Sequence, residues 1–452
     1  MSAFTDDVVA SMDPKDEGRR GFLTAQQEKC RELFLSSCDK EALDMAKYTM
    51  EHPSDCALRF LRARKFAVDK ALELLNEAKA MLIKERAREF GKMTPDDAGE
   101  ADIDLMKTFY PHTVVGHSKE NTPIVWEHEG RIDIQAIITM MTRENLLGYH
   151  FWNMETNLDE HFTRCSKLPA VKTASQTTDT EDSSQYSANP IATMAILDLT
   201  GFGLAQMGQK TMDQIKLYIS TDNVCYPETL GKMLIINAPY ILSSAWGIIK
   251  GWLDPRTVGK IEIISSTEAS LKRLHELIDK DQLPAEYGGT APDLYHQKKN
   301  CGFQWIGRGG EFAYEITVPS GCGLTIDTYV GEGPVEYTVQ ARTFPTEEEL
   351  EVETLKKAIA AKSNSSGWFS KKEDATSPAG PVTFEKLAYL PTKAHASKVA
   401  ITPTNNKRER HLQHLSKDDL AGNGRSVQVQ VVWKNPSRMS QRPLVFALTL
   451  TQ

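Results

Sequence analysis

The spacing of hydrophobic residues divides the chain into three parts. From Leu23 to Arg88, apolar residues recur every three to four positions, which predicts helices. From Met106, short and nearly continuous apolar runs alternate with longer helical stretches, which is typical of a mainly parallel sheet covered by helices on both faces. After about Tyr295, strand-like runs are separated by Gly and Pro without helical periodicity, which predicts an all-β sandwich.

The pattern also predicts individual elements of the second and third parts. The predicted strands of the second part are 122–127, 191–199, 232–237 and 260–265. Its predicted helices are 134–155, 211–225, 239–253 and 268–278. The predicted strands of the third part are 311–318, 324–330, 335–340, 426–433 and 444–449.

These elements define the expected domains. Residues 1–22 are acidic and poor in large apolar residues, so we expect them to be disordered. We expect a helical lobe at 23–98, an α/β domain at 99–294 and a β-sandwich at 295–452. Two polar stretches of low complexity, 172–189 and 346–381, are expected to be insertions.

The predicted helix 239–253 is unusually apolar. Its apolar positions cover nearly every side: Ile241, Leu242, Ala245, Trp246, Ile248, Ile249, Trp252 and Leu253. Such a helix must be buried in a core, lie in lipid or face something apolar inside the protein. It is shorter than the about 20 residues that a bilayer span needs. The choice among the remaining environments decides the function.

Composition and charge narrow the functional classes. The 452 residues are 40% hydrophobic and 25% charged, as in soluble globular proteins, and the net charge of −8 disfavours a broad nucleic-acid surface. Seven scattered cysteines without a CxxC pair predict neither a zinc site nor a disulfide framework. The start of the chain lacks the layout of a signal peptide, so a cytosolic location is expected.

No set of residues indicates catalysis. Gly201 and Gly203 follow a predicted strand, but Gln206 occupies the third glycine position of a dinucleotide loop. Walker A and nucleophile-elbow sequences are absent, and the histidines lack metal-ligand spacing. We therefore expect a protein that is not an enzyme and has no cofactor or metal; a nucleotide-using enzyme is the weakest alternative.

Polar residues stand at both ends of the apolar helix and its neighbouring strands. Glu228 precedes the strand 232–237, and Thr257 and Lys260 follow the helix. A carboxylate, a hydroxyl and an ammonium at these places could meet at one edge of the sheet. From spacing alone, solvated turn residues are the commoner outcome.

Five separated motifs favour a shared site over solvated turn residues, because they occur in the order found in a known family. They are LRFLRARKF (58–66), LDLTGFG (197–203), YPETLGKMLIINAP (226–239), WLDPRTVGKI (252–261) and LPAEYGG (283–289). With these motifs the region 23–290 resembles the CRAL-TRIO lipid-binding proteins, and among them the phosphatidylinositol/phosphatidylcholine transfer proteins. The segment VQVQVVWKNPSRMSQRPLVFALTL resembles the Golgi dynamics (GOLD) domain of the tocopherol-associated, supernatant-protein-factor subfamily, although the 346–381 insertion departs from it.

The resemblance implies a hollow α/β domain that holds one lipid beneath a mobile apolar helix. Exposing two acyl chains of roughly 30 methylenes to water costs on the order of 25 kcal/mol. A lipid that is carried between membranes therefore needs an apolar cavity. In the family, the headgroup site lies at positions that correspond here to Arg64, Lys65, Glu228, Thr257 and Lys260.

The resemblance leaves the second ligand open. Thr193 matches one hydroxyl of the family's choline-lipid site, while Ala195 replaces the other. We expect a cytosolic protein that exchanges phosphatidylinositol for a second hydrophobic ligand during transient membrane contact, supporting phosphoinositide signalling or traffic at Golgi or endosomal membranes. The GOLD-like part could bind protein partners. The alternatives are a lipid-regulated sensor or adaptor, and a carrier of tocopherol, squalene or phosphatidylcholine.

Overall fold

The structure is a computed structural model. It describes residues 17–169, 191–294, 299–331, 333–343, 397–401, 409–420 and 426–451, together with residues 352, 355 and 356. The insertion predicted at 172–189, nearly all of that at 346–381, and most of the N-terminal segment predicted to be disordered lie outside these residues. The chain divides into two compact units, Met1–Lys298 and Lys299–Gln452.

The first unit begins with a helical lobe, as the sequence predicts. The helices are α1 (Ala25–Ser37), α2 (Lys40–Ala46), α3 (Pro53–Ala63), α4 (Val68–Lys84), α5 (Ala87–Phe90), α6 (Pro95–Gly99) and α7 (Ile103–Phe109). Helix α1 begins with a capping box in which Thr24 and Gln27 each bond the other's backbone N–H. Apolar faces of the first four helices form one core that includes Phe34, Phe60 and Leu75.

A five-stranded sheet organises the rest of this unit. Its strands are β1 (His112–His117), β2 (Pro123–Glu127), β3 (Thr193–Asp198), β4 (Leu230–Ile236) and β5 (Ile261–Ile263), in that spatial order. Only the edge pair β1 and β2 is antiparallel. The helices are α8 (Ile134–Met140), α9 (Arg143–Trp152), α10 (Leu158–Cys165), α11 (Gln209–Cys225), α12 (Leu242–Ile249), α13 (Pro255–Val258) and α14 (Thr267–Leu277). The predicted, mainly parallel sheet is confirmed.

The helix predicted at 134–155 is wrong as a single element. Met141 is extended and ends α8, and Thr142 starts α9 through a capping box with Asn145. A π-helical turn at Asn153–Asn157 then joins α9 to α10. The hydroxyl of Thr142 therefore divides a stretch that looks continuous when only apolar residues are counted.

The two faces of the sheet are packed differently. The side chains of one face are fully buried against α14: Ile124, Trp126, Met194, Ile196, Leu234 and Ile236. On the opposite face, Leu197, Met233 and Ile261 stay half-buried although Met212 of α11 and Trp246 and Ile249 of α12 pack beside them. The apolar region between this face and helices α11 and α12 is thus partly accessible to solvent, and we call it the apolar cleft.

The second unit contains two four-stranded antiparallel sheets. The strands are β6 (Cys301–Ile306), β7 (Glu311–Val318), β8 (Gly323–Val330), β9 (Val335–Thr343), β10 (Ser397–Ile401), β11 (Glu409–Leu415), β12 (Val427–Lys434) and β13 (Arg442–Thr451). The spatial orders are β10-β9-β12-β7 and β11-β8-β13-β6. Both sheets contribute to one core, which includes Trp433, Tyr337 and Phe446. The predicted β sheets are confirmed for the described residues other than 352, 355 and 356, which are helical, and the assignment to the GOLD type stays a prediction.

Candidate functional site

A tightly held turn places Glu228 at the start of β4. Arg59 of α3 donates to the carbonyl of Pro227 at 3.0 Å, and the Thr229 hydroxyl donates to the carbonyl of Tyr226 at 2.8 Å. The Tyr226 hydroxyl donates to Glu155, in the π-helical turn, at 2.7 Å. Glu228 itself adopts a left-handed backbone conformation, with φ of 61°, which is uncommon for a residue with a side chain. Bonds from several elements therefore fix its direction.

Three cations surround the carboxylate of Glu228, whose side chain is only 8% exposed. Lys260 Nζ lies 3.1 Å from one carboxylate oxygen, and Arg62 Nη2 lies 3.4 Å from the same oxygen. Arg256 Nη1 lies 3.7 Å from the other oxygen and also donates to the carbonyl of Arg62 at 3.0 Å. We call Arg62, Glu228, Arg256 and Lys260 the Glu228 cluster. It keeps an excess of positive charge, which suits an anion.

The pKa values agree with this charge state. Burial by itself raises the pKa of Glu228, but Lys260 and Arg62 hold it below its usual value, so the carboxylate is ionised at neutral pH. Burial lowers the pKa of Lys260, and the attraction of Glu228 offsets part of that effect. Burial and the neighbouring guanidinium of Arg19 lower the pKa of Arg62 to about 10, which leaves it charged at neutral pH.

The structure brings together two of the five predicted headgroup residues, Glu228 and Lys260. Lys65 is exposed and Arg64 is half-buried, and neither forms an ion pair within the part of the chain that the structure describes. Thr257 lies in α13, and its backbone carbonyl accepts from the Lys260 N–H at 3.0 Å. The ligand roles of all five residues stay predictions.

Two members of the Glu228 cluster were missed from the sequence. Arg62 is part of the same basic run as Arg64, and it follows Arg59 by three residues, which places both on one side of α3. That spacing, within a helix of mostly buried residues, was a usable signal. Arg256 follows the helix-capping Asp254 and gave no signal, because its contact with Arg62 joins positions far apart in the sequence.

The predicted gate helix is shorter than expected and buries only one side. Helix α12 spans Leu242–Ile249 and continues as a 3-10 turn, Lys250–Trp252. Leu242 and Ala245 are buried, whereas Ile248 is 56% exposed. The other predicted gate residues are all half-buried. Trp246 and Ile249 lie in α12, Trp252 lies in the 3-10 turn, and Ile241 and Leu253 lie outside both. The helix thus has apolar residues on its solvent side as well as facing the cleft.

Other predicted sites are already bonded within the protein. The Thr193 hydroxyl donates to the carbonyl of Thr229 at 3.2 Å, so its role as a second-lipid ligand stays a prediction. In the glycine loop, the Gln206 side chain accepts from the N–H of Gly203 at 3.0 Å and donates to the carbonyl of Ile132 at 3.1 Å. The Gly203 amide is therefore not directed at a phosphate, which disfavours the nucleotide hypothesis.

No group of metal-binding side chains and no helix able to cross a bilayer occurs among the described residues. Three or more His, Cys, Asp or Glu residues never come together there in a way that could hold a metal ion. Every helix in these ranges is too short or too polar to span a membrane.

A second carboxylate, Glu262 of β5, offers a pH test outside the Glu228 cluster. It is 35% exposed and is bonded by Lys232 at 2.6 Å and by Arg273 at 2.8 and 2.9 Å. Bonding to Arg273, and then to Lys232, lowers the pKa of Glu262 to about 2. The stability it contributes is therefore complete above the ordinary pKa of a glutamate and is lost as the pH falls towards 2. We expect Glu262→Gln to lower stability by less than about 1 kcal/mol at neutral pH, because solvent screens the pair.

Denaturant unfolding of the wild type and the Glu262→Gln variant at several pH values would measure this contribution. The difference between the two proteins should shrink as the solution is acidified below the usual glutamate range. A difference that grows in acid would contradict the assigned ion pairs.

Comparisons with known proteins agree with this architecture. A family model described as CRAL/TRIO domain matches residues 109–289, and one described as CRAL/TRIO, N-terminal domain matches residues 22–77. The Arabidopsis thaliana proteins called phosphatidylinositol/phosphatidylcholine transfer protein SFH12 and SFH4 are 30% identical over 267 residues and 33% identical over 234 residues. These matches cover 59% and 52% of this chain but only 44% and 34% of the two relatives, so the chain spans less than half of their length.

The Sec14 cytosolic factor of Schizosaccharomyces pombe is 29% identical over 280 residues, which are 60% of this chain and 85% of that protein. Among solved structures, one described as the crystal structure of Sfh5 covers 64% of this chain and 87% of its own, with 14% identity and a TM-score of 0.40. The family models and the helical lobe followed by a mixed sheet agree with each other. The chain therefore carries a CRAL/TRIO N-terminal domain at residues 22–77 and a CRAL/TRIO domain at residues 109–289.

Proposed function

We propose that this chain is a non-enzymatic carrier that binds phosphatidylinositol and exchanges it for a second hydrophobic ligand at membranes. The observation that supports the proposal most is the Glu228 cluster, a buried carboxylate with three cations, next to the apolar cleft. Arg256 and Lys260 belong to the segment that follows α12, and Ile261, adjacent to Lys260, borders the cleft. An anionic headgroup and apolar chains could thus bind side by side.

The proposed roles follow from the chemistry of the side chains. Arg62, Arg256 and Lys260 would pair with the lipid phosphate, and Glu228 would accept hydrogen bonds from inositol hydroxyls. Arg64 and Lys65, from the same basic run, would add positive charge, and the Thr257 hydroxyl would bond the headgroup. Helix α12 would cover the acyl chains and touch the bilayer during exchange, as a gate.

The relatives' names support the ligand class, since SFH12 and SFH4 are called phosphatidylinositol/phosphatidylcholine transfer proteins. We further propose a cytosolic location with transient contact at Golgi or endosomal membranes, and protein partners for the C-terminal unit. The candidates for the second ligand are phosphatidylcholine, tocopherol and squalene.

Transfer of labelled phosphatidylinositol between donor and acceptor vesicles by the full chain tests the proposal. Native mass spectrometry of the protein as purified from cells would identify the lipid it carries. Rapid transfer and a bound inositol lipid are expected. Retention of the lipid without transfer would favour a sensor or adaptor, and absence of any bound lipid would contradict the proposal.

The exposed side of α12 gives a separate prediction. Ile248→Asp should lower phosphatidylinositol transfer at least about tenfold, because burial of an isoleucine in a bilayer contributes about 1.5–3 kcal/mol and 1.4 kcal/mol is tenfold. The free energy of unfolding should change by no more than about 0.5 kcal/mol, since the side chain is 56% exposed. Ile83→Asp on α4 is a matched control, because Ile83 is also 56% exposed. Equal transfer by the two variants would exclude contact of α12 with the membrane.

A further inference from the structure

Two loops at one end of the second unit are bonded into a single surface. Residues 307–310 join β6 to β7, and residues 435–441 join β12 to β13. The loops lie at the same end because β7 pairs with β12 and β6 pairs with β13, in both cases antiparallel. The Gly309 N–H donates to the carbonyl of Ser437 at 2.8 Å. We call residues 307–310 and 435–441 together the two-loop tip.

Asn435 fixes the conformation of the two-loop tip. This residue is fully buried, and its Nδ2 donates to the carbonyls of Gly307 at 3.0 Å and Ser440 at 2.8 Å. Its backbone N–H donates to the carbonyl of Gly310 at 3.0 Å, and its Oδ1 accepts from the Ser437 N–H at 2.9 Å. Because these bonds are already formed, the tip has little conformational entropy to lose when it binds a partner.

The outermost side chains of the two-loop tip are apolar or positively charged. Met439 is 87% exposed, so its side chain projects from the loop instead of packing on the protein. Arg308 and Arg438, one in each loop, are exposed and form no ion pair with the residues that the structure describes. Neither loop contains an acidic residue, although the net charge of the chain is −8. At the adjoining strand ends, Lys434 and Glu311 pair with each other at 3.0 Å.

The combination of these side chains favours one class of partner. An apolar side chain that projects beside two cations can enter the headgroup layer of an anionic bilayer, where the guanidinium groups pair with lipid phosphates. A peptide or a small molecule instead needs a groove or a pocket, which a projecting side chain does not provide. Trp305, which is 41% exposed near the end of β6, adds an aromatic ring of the kind enriched at membrane surfaces.

We propose that the two-loop tip is a membrane-docking surface for anionic phospholipid bilayers. Arg308 and Arg438 pair with the anionic headgroups, and Met439 inserts among them. This surface belongs to the second unit and is distinct from the membrane contact proposed for α12. The inference therefore goes beyond the proposed function, and it does not require that the chain transfers a lipid.

Binding of the full chain to vesicles tests the inference. The vesicles contain either phosphatidylcholine alone or phosphatidylcholine with phosphatidylserine. The wild type should bind the phosphatidylserine vesicles more tightly, and added salt should weaken this binding because it screens exposed charges. Arg308→Ala and Arg438→Ala should each lower the affinity for these vesicles about fivefold, and the double variant at least about tenfold. Binding to phosphatidylcholine alone should change little in these variants.

Matched controls lie elsewhere in the same unit. Lys417→Ala removes an exposed cation from the segment that follows β11 and should leave vesicle binding unchanged. Met439→Asp should lower the affinity for phosphatidylserine vesicles at least about fivefold, because it adds a negative charge to the tip. Leu450→Asp, at the other end of β13 and 42% exposed, should have no such effect. All of these side chains are exposed, so the variants should melt at the temperature of the wild type.

The outcomes separate this inference from its alternatives. Wild-type binding to phosphatidylserine vesicles by the double variant overturns it, and so does an equal loss of binding in Lys417→Ala. Binding of the wild type to soluble polyglutamate, lost in the double variant and without a preference for phosphatidylserine vesicles, overturns it in favour of an acidic protein partner. Vesicle binding that depends on the tip, in a chain that transfers no phosphatidylinositol, supports this inference and contradicts only the proposed function.

Discussion

Lys260→Ala is expected to reduce phosphatidylinositol transfer about 10- to 100-fold. Lys260 Nζ donates to Glu228 at 3.1 Å and to the carbonyl of Leu230 at 2.8 Å. Its removal takes a charge-assisted bond from the headgroup phosphate, and such bonds contribute about 1.5–3 kcal/mol. Transfer should be measured at a temperature where the melting curves of both proteins show a folded state.

A matched lysine separates the headgroup role from a general effect of lost charge. Lys232 of β4 also bonds a glutamate, Glu262, at 2.6 Å, but outside the Glu228 cluster. Lys232→Ala should leave transfer close to that of the wild type. Equal transfer by the wild type and Lys260→Ala would exclude Lys260 from the headgroup site.

Most of the fold of the first unit could be predicted, because buried strands and amphipathic helices leave different apolar periods in the sequence. The predicted strand 191–199 contains β3, and 232–237 overlaps most of β4. Strand β1 was missed, since it lies at the edge of the sheet and its alternation of buried and exposed residues is irregular. The break between α8 and α9 before Thr142 was missed as well. A helix cap depends on a single hydroxyl, whereas the helices were predicted from the spacing of apolar residues.

The candidate site was harder to predict than the fold. Glu228 and Lys260 follow from motifs, and the structure places them in contact. Sequence favoured Arg64 and Lys65 over Arg62, but α3 ends at Ala63, and Lys65 has φ of 50°. The chain therefore turns after the helix and leaves Lys65 exposed, while Arg62, still helical, stays buried. The burial of Arg62 and the exposure of Lys65 depend on where α3 ends relative to a strand that is distant in sequence. No local sequence pattern predicts that relation.

A buried ion pair connects the helical lobe to this site. Arg59 Nε lies 2.7 Å from Glu51 Oε1 and Nη2 lies 2.9 Å from Oε2. The same guanidinium donates to the carbonyls of Ala46 and Pro227. Both charged side chains are almost completely buried. Arg59 thus has two separable effects, since it compensates the Glu51 charge within the lobe and fixes the turn before Glu228.

Substitution of Arg59 should separate these two effects. Arg59→Met leaves the buried Glu51 carboxylate without its cation, so we expect the free energy of unfolding to fall by about 3–5 kcal/mol. Adding Glu51→Leu removes the uncompensated charge and should restore most of that stability, because apolar replacement of a whole buried pair is often neutral. The double variant still lacks the donor to Pro227, so its phosphatidylinositol transfer should stay below that of the wild type. Denaturant unfolding and vesicle transfer of the three proteins measure the two effects.

If the double variant is as unstable as Arg59→Met, lost packing rather than the unpaired charge is the cause. If its transfer equals that of the wild type, the bond from Arg59 to Pro227 does not position Glu228.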